Sequence, residues 1–295
     1  MEKILFDTDI GSDIDDAVCL AYLLKQPECD LLGITTVTGE PEKRAMMASA
    51  LCKIAGKENV PIYPGVATPI LTKTCQPSAG QAARLPNWDH EKTFPEGEAI
   101  EFLRRTIRQH PNEVTLLAVG PMTNLALLFS VDPEIPRLLK QLVLMCGVFT
   151  YKMSWGTLLT EWNALNDPYA TKIVYDAPVC SIRSIGIDVT SKVVMNRDDV
   201  TASFTADIMK PVLDFAGVWF EGSESITFHD PLAATTIFNN DICRYERGDV
   251  SVETESNIGL NGLTKFTAAA EGKNEVATEV DAQLFFKHYF EIVNR

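Results

Sequence analysis

Basic residues are scarce in this sequence: 26 Lys and Arg stand against 40 Asp and Glu, for a net charge of −14. Nucleic acid and anionic membrane are bound through clustered Lys and Arg, so neither is expected as a partner. No apolar run approaches the ~18 residues of a membrane-spanning helix. The seven cysteines show no CxxC or His-paired spacing. Buried thiols in a reducing cytosol are therefore expected, not disulfides or zinc ligands. Met1-Glu2-Lys3-Ile4 leads straight into a strand-like run, so no signal peptide is expected and the protein reads as cytoplasmic. Repeats, low-complexity tracts and linkers are also lacking, which leaves one domain spanning 1–295 as the expectation.

Acidic residues concentrate in Asp7-Thr8-Asp9-Ile10-Gly11-Ser12-Asp13-Ile14-Asp15-Asp16. The apolar run Ile4-Leu5-Phe6 before it reads as a buried strand, and Ala17 to Leu24 after it reads as a helix. Five carboxylates crowded into one strand-to-helix turn repel one another unless a cation sits among them. One Asp is ordinary as a helix N-cap and a second gains from the helix dipole, with Ser12 or Asp13 placed to cap. That leaves Asp7 and Asp9 unexplained, since both project to one face of an extended chain.

Strand-like and helical stretches alternate along the chain. Asp30–Val37, Val60–Gly65, Val114–Val119, Gln141–Gly147 and a run from Val179 to Asp188 read as strands. Helices are expected over Lys43–Ala55, Glu98–Gln109, Asp167–Tyr175, Asp198–Trp219, Leu232–Phe238 and Ala282–Val293. Short strands near Val250, Thr264 and Glu275 would make the sheet mixed. The expected fold is α/β, a Rossmann-like doubly wound and mostly parallel sheet. Residues 68–96 lack periodicity, and a long irregular stretch with Trp88, His90 and Phe94 suggests a lid.

A calcium or magnesium site needs oxygens converging from distant parts of the chain. Beyond the acidic turn, the candidates are Glu40, the Val119 carbonyl, Glu161, Asp167, Asp188 and Asp230. His229 adds a group that titrates near neutrality, although His-Asp-Pro also serves simply to start a helix. An EF-hand loop fails, because its required Gly and Glu would fall on Ser12 and Val18, or on Ile14 and Leu20. Asp7-Thr8-Asp9 also resembles the nucleophile motif of haloacid-dehalogenase-type phosphohydrolases, a magnesium-dependent alternative. The Lys and the later acidic pair of that motif have no clear place here.

Seven blocks in order resemble the inosine/uridine-preferring nucleoside hydrolases. They are Asp7–Ala17, Ile34–Gly39, Val119–Asn124, Leu144–Gly147, Thr160–Asn163 with Asp167-Pro168, Gly186–Thr190, and His229-Asp230-Pro231. The resemblance implies an N-glycosidase that cleaves a ribonucleoside to ribose and free base, in purine or pyrimidine salvage, as a homodimer or homotetramer. It implies calcium held by Asp9, Asp16, Asp230 and the Val119 carbonyl, with Asp9 as general base. Asp15, Glu161, Asn163 and Glu40 would lie at the ribose, His229 would act on the departing base, and Asp7 would support the metal ligands. The spacing before the paired Asp is two residues longer than in the family pattern. Glu40 stands where the family has Asn, Ser78-Ala79-Gly80-Gln81 replaces a His-Gly in the lid, and Trp155 falls where an Asn precedes Glu161. Trp155, Trp219 and Phe228 are aromatics able to stack on a base. A nucleoside- or ribose-binding protein without catalysis is the non-enzymatic alternative.

Overall fold

The computed structural model describes residues 1–151 and 158–295. Its strands are β1 (Glu2–Thr8), β2 (Cys29–Thr36), β3 (Ile62–Pro64), β4 (Val114–Ala118), β5 (Gln141–Met145) and β6 (Ile182–Ile185). These are followed by β7 (Val194–Asn196), β8 (Ser225–Thr227), β9 (Cys243–Val252), β10 (Thr264–Ala268) and β11 (Asn274–Val280). Nine of them form one sheet in the order β10-β9-β11-β6-β5-β4-β1-β2-β3, while β7 and β8 pair separately. From β11 through β3 neighbouring strands are parallel, and β9 runs antiparallel to both β10 and β11. The expected mixed, mostly parallel α/β sheet is the one observed.

The run Ile4-Leu5-Phe6 shows why both faces are covered. Successive side chains of a strand point to opposite faces, so an unbroken apolar run has to be buried on both. Ile4 and Phe6 join a cluster with the helices Asp15–Lys25, Pro41–Ile54 and Met209–Trp219. Leu5 joins the opposite cluster, against Ala99–Gln109, Thr123–Val131 and Pro168–Asp176.

Chain order places the site. From β1 the sheet grows through β2 to β3 on one side, then from β4 through β5 to β6 on the other. The order therefore reverses between β1 and β4, and a crevice opens beyond the carboxyl ends of such strands. The acidic turn leaves β1 there, next to Val119-Gly120 leaving β4, and the Val119 N–H donates to the Asp7 carbonyl at 2.9 Å. A Cβ at position 120 would lie 2.9 Å from Asp9 Oδ1 and 2.7 Å from Val37 Cγ1, so the strand end needs glycine.

Some expectations change. The helix expected over Asp198–Trp219 is two, Arg197–Ser203 and Met209–Trp219. Between them Phe204 leaves the helix to bury its ring against Phe228 and Phe290. Strand β6 stops at Ile185, and Ile187–Thr190 is a helical turn. Residues 68–96 are irregular apart from a 3₁₀ stretch, Gly80–Asn87. All seven cysteines are unpaired, with Cys75 and Cys180 exposed and the others buried. Among the described residues no helix is long and apolar enough to cross a membrane.

Candidate active site

The crevice holds a cavity of about 330 Å³ lined by Asp9, Asp13, Asp15, Asp16, Val119, Glu161, Asn163, His229 and Asp230, among others. Eight of the ten residues expected at the site are in that wall. Asp15 and Asp16 occupy the first turn of helix Asp15–Lys25, and Asp230 the first turn of helix His229–Phe238. One carboxylate oxygen from each of these three lies within 4.8 Å of the others. The Asp230 N–H donates to Asp15 Oδ2 at 3.0 Å, so the two helix starts face each other directly. Thr8 donates its hydroxyl to Asp16 Oδ1, which also accepts the Asp9 N–H.

Neither Ser12 nor Asp13 caps the first helix, contrary to the sequence expectation. The N-cap position is Ile14, with no side-chain bond. Asp13 Oδ1 accepts the adjacent Ile14 N–H at 2.6 Å, and the Ser12 hydroxyl donates to the Ser78 carbonyl.

On the opposite wall Glu161 caps the helix Trp162–Asn166 and accepts N–H groups from Gly147, Asn163 and Ala164. The Cys146 thiol also bonds this carboxylate, so its position in the wall is fixed from several sides. Asn163 donates its amide to the carbonyls of Val119 at 2.6 Å and Met145 at 3.0 Å. Those bonds fix its Oδ1 as an acceptor. They also leave the Val119 oxygen one lone pair for a cation.

Asp7 and Glu40 lie outside the cavity wall. Asp7 Oδ1 accepts from Thr35 and Asn124, and Oδ2 is buried without a partner. The side chain that reaches a neighbouring acid is Thr8, one residue on. Glu40 has left-handed backbone, with φ 60°, and its carboxylate accepts from Lys43 and from the Ala79 N–H at the lid. Asp188 accepts the N–H groups of Phe149, Thr150 and Tyr151, and Asp167 accepts Ile70, Thr123 and Ala170; both anchor loops. Trp219 lines the cavity, Phe228 is packed in the aromatic core, and Trp155 lies outside the described residues.

Sequence reasoning did not find Gln76, Trp162 or Arg44. Gln76 and Trp162 line the cavity, and Arg44 lies fully buried behind the acidic turn. A hydrophobic-period reading gives these residues no signal, because their positions depend on how the lid folds over the turn.

Burial is the largest influence on the acids, and repulsion between them comes next. Burial and then Asp13 and Asp16 raise Asp15 well above the carboxylate range. Burial and then Asp9 do the same for Asp16, and burial and then Asp15 for Asp230. Asp9 is raised less, because Arg44 and Gln76 oppose its burial. Burial pushes Asp7 up to about 7 and lowers His229 to about 4. This donor set is all oxygen, buried and mutually repelling, and it fits a hard divalent cation.

The same shifts fix the sign of a stability profile. Carboxyl groups raised in the folded state stabilise it fully below their unfolded pKa and lose that contribution as pH rises through the folded one. Metal-free protein is therefore expected to melt at progressively lower temperature as pH rises from about 4 through about 7, where Asp7 titrates, with a divalent cation restoring stability at the upper end. Calorimetry with and without chelator measures this. A flat metal-free profile would show that the acids are not strained against one another.

Residues 4–287 match the family model "Inosine-uridine preferring nucleoside hydrolase". Uridine nucleosidase 1 of Arabidopsis thaliana is 30% identical over 278 residues, covering 86% of this chain and 79% of that protein. The inosine-uridine preferring nucleoside hydrolase of Crithidia fasciculata is 26% identical over 308 residues, covering 99% and 96%. In fold, the chain is similar to the purine-preferring ribonucleoside hydrolase of Gardnerella vaginalis, with a TM-score of 0.85 at 22% identity and coverage of 99% and 98%. The chain belongs to the inosine-uridine preferring nucleoside hydrolase family, as an enzyme of the N-glycosidase class.

Proposed function

We propose that the protein hydrolyses the N-glycosidic bond of a ribonucleoside in a calcium-dependent reaction, giving ribose and the free base. The observation that carries this reading is the convergence of Asp9, Asp15, Asp16 and Asp230 with the Val119 carbonyl in one cavity. Asp9, Asp16, Asp230 and the Val119 oxygen would hold the ion. When bound, calcium supplies a Lewis acid that binds the ribose diol and lowers the pKa of a water.

The chain's own groups then have separate tasks. Asp9 takes a proton from the attacking water as its oxygen bonds to C1′ and the C1′–N bond breaks. Asp15, Glu161 and Asn163 Oδ1 accept or share the ribose hydroxyl protons, which fixes the sugar relative to Asp9. The buried carboxylates stabilise positive charge developing on the sugar ring, as in other glycoside hydrolysis. Thr190 bonds His229 Nδ1 at 2.6 Å. A hydroxyl donating there leaves the ring proton on Nε2. With its pKa lowered to about 4, His229 is neutral and would hydrogen-bond the departing base, which keeps the C1′–N electron pair and takes its proton from solvent water.

The magnesium phosphohydrolase reading is less well supported, since among the described residues no Lys or Arg lines the cavity. The test is incubation with a nucleoside panel and calcium, assaying reducing sugar, then again with chelator. Ribose release that stops on chelation is the expected result. Binding of nucleosides without any ribose release would favour the binding-protein reading, and phosphate release from phosphorylated substrates with magnesium the phosphohydrolase one.

A further inference from the structure

Gln76 comes from the irregular stretch 68–96, yet its side chain is buried at 7% exposure in the wall of the cavity. Its Nε2 donates to Asp9 Oδ2 at 2.8 Å. Its Oε1 accepts the indole N–H of Trp162 at 2.7 Å. An indole nitrogen can only donate, so this second bond decides which way the amide faces. The oxygen must point to Trp162 and the nitrogen to Asp9. Trp162 is itself 48% exposed and opens the helix that carries Asn163. A chain of two hydrogen bonds therefore runs from a solvent-exposed aromatic to the carboxylate with the proposed proton-accepting role.

We infer that Gln76 is a positioning residue for Asp9, and that Trp162 acts through Gln76 by fixing its amide. This rests on the reading of Asp9 as general base. A base aligned by tertiary contacts has to be held in one rotation of its carboxylate, and Gln76 grips one oxygen while the other lies against Gly120. A neutral amide does this without adding charge to an already crowded acidic cluster. Trp162 also lies where an occupant of the cavity would meet it, so ligand placement and Asp9 orientation share one network.

The test is a double-mutant cycle on calcium-loaded full-length protein, with kcat and KM measured on the best nucleoside of the panel. Gln76→Leu is expected to lower kcat by about 10- to 100-fold, the range of a hydrogen bond to a charged group. KM should change by less than about threefold, the pattern of a loss confined to the transition state. Trp162→Phe keeps the aromatic face and removes only the N–H, and should lower kcat by about 3- to 10-fold. The double variant should be no slower than Gln76→Leu alone, because Trp162 has nothing left to orient. Additive losses, or a Gln76→Leu kcat within about twofold of wild type, overturn the inference. If Gln76→Leu fails to fold, an unchanged kcat in Trp162→Phe overturns it alone. Wild-type protein that releases no ribose from any nucleoside defeats the underlying function instead, a separate outcome.

Discussion

Asp230→Asn and Asp9→Ala are each expected to lower nucleoside hydrolysis by about 10³-fold or more and to abolish calcium binding in calorimetric titration. Asp230 starts its helix with its carboxylate against those of Asp15 and Asp16, and asparagine keeps the shape while removing the charge. The backbone contact from position 230 to Asp15 is unaffected by that change. The metal-free variant should therefore melt higher than metal-free wild type, since one repelling carboxylate has gone. Stability and activity moving in opposite directions separates a lost ion site from ordinary damage. Asp9→Ala removes a proposed ligand and the proposed base together, so its residual rate should not recover at any calcium concentration. Full turnover in either variant would sink the mechanism.

The elements that bury apolar surface on a regular period were legible in the sequence. Ile4-Leu5-Phe6 announces a strand covered on both faces, and the helix after Asp16 follows from its unbroken apolar run. Those two elements bracket the acidic turn, and four of its five carboxylates, Asp9, Asp13, Asp15 and Asp16, line the cavity. Contacts set by irregular backbone were not legible. Glu40 precedes Pro41, takes a left-handed conformation and turns its carboxylate to the lid, away from the cavity wall. Asp13 looked like a cap, but the chain turns into the helix one residue later, at Ile14. Gln76 reads as an ordinary polar loop residue, and only the folded chain brings its amide onto Asp9.

Arg44→Met is expected to destabilise the protein by about 3–5 kcal/mol, a fall in melting temperature of roughly 10 °C. In the sequence Arg44 is one more charge on a helix, yet the folded chain leaves it 0% exposed. Its Nε donates to the Gly39 carbonyl at 2.8 Å. One terminal nitrogen donates to the carbonyls of Asp9 and Ile10 and to the Ser12 hydroxyl, and the other to the Ser78 carbonyl. The fork thus ties the acidic turn to the start of the helix Pro41–Ile54 and to the segment around Ser78. Replacing both members of a buried charge pair with apolar groups is often harmless, but here only the cation would go. Several carbonyls would lose their donor, and Asp9 and Asp16 would lose the positive charge that opposes their burial. Arg44→Lys keeps the charge but not the fork, so it should recover only part of the loss. A bound divalent cation would also offset the acids, so the deficit should be larger in metal-free protein than in loaded protein. Equal deficits in the two states would assign Arg44 to the backbone carbonyls alone and remove its part in compensating the acidic turn.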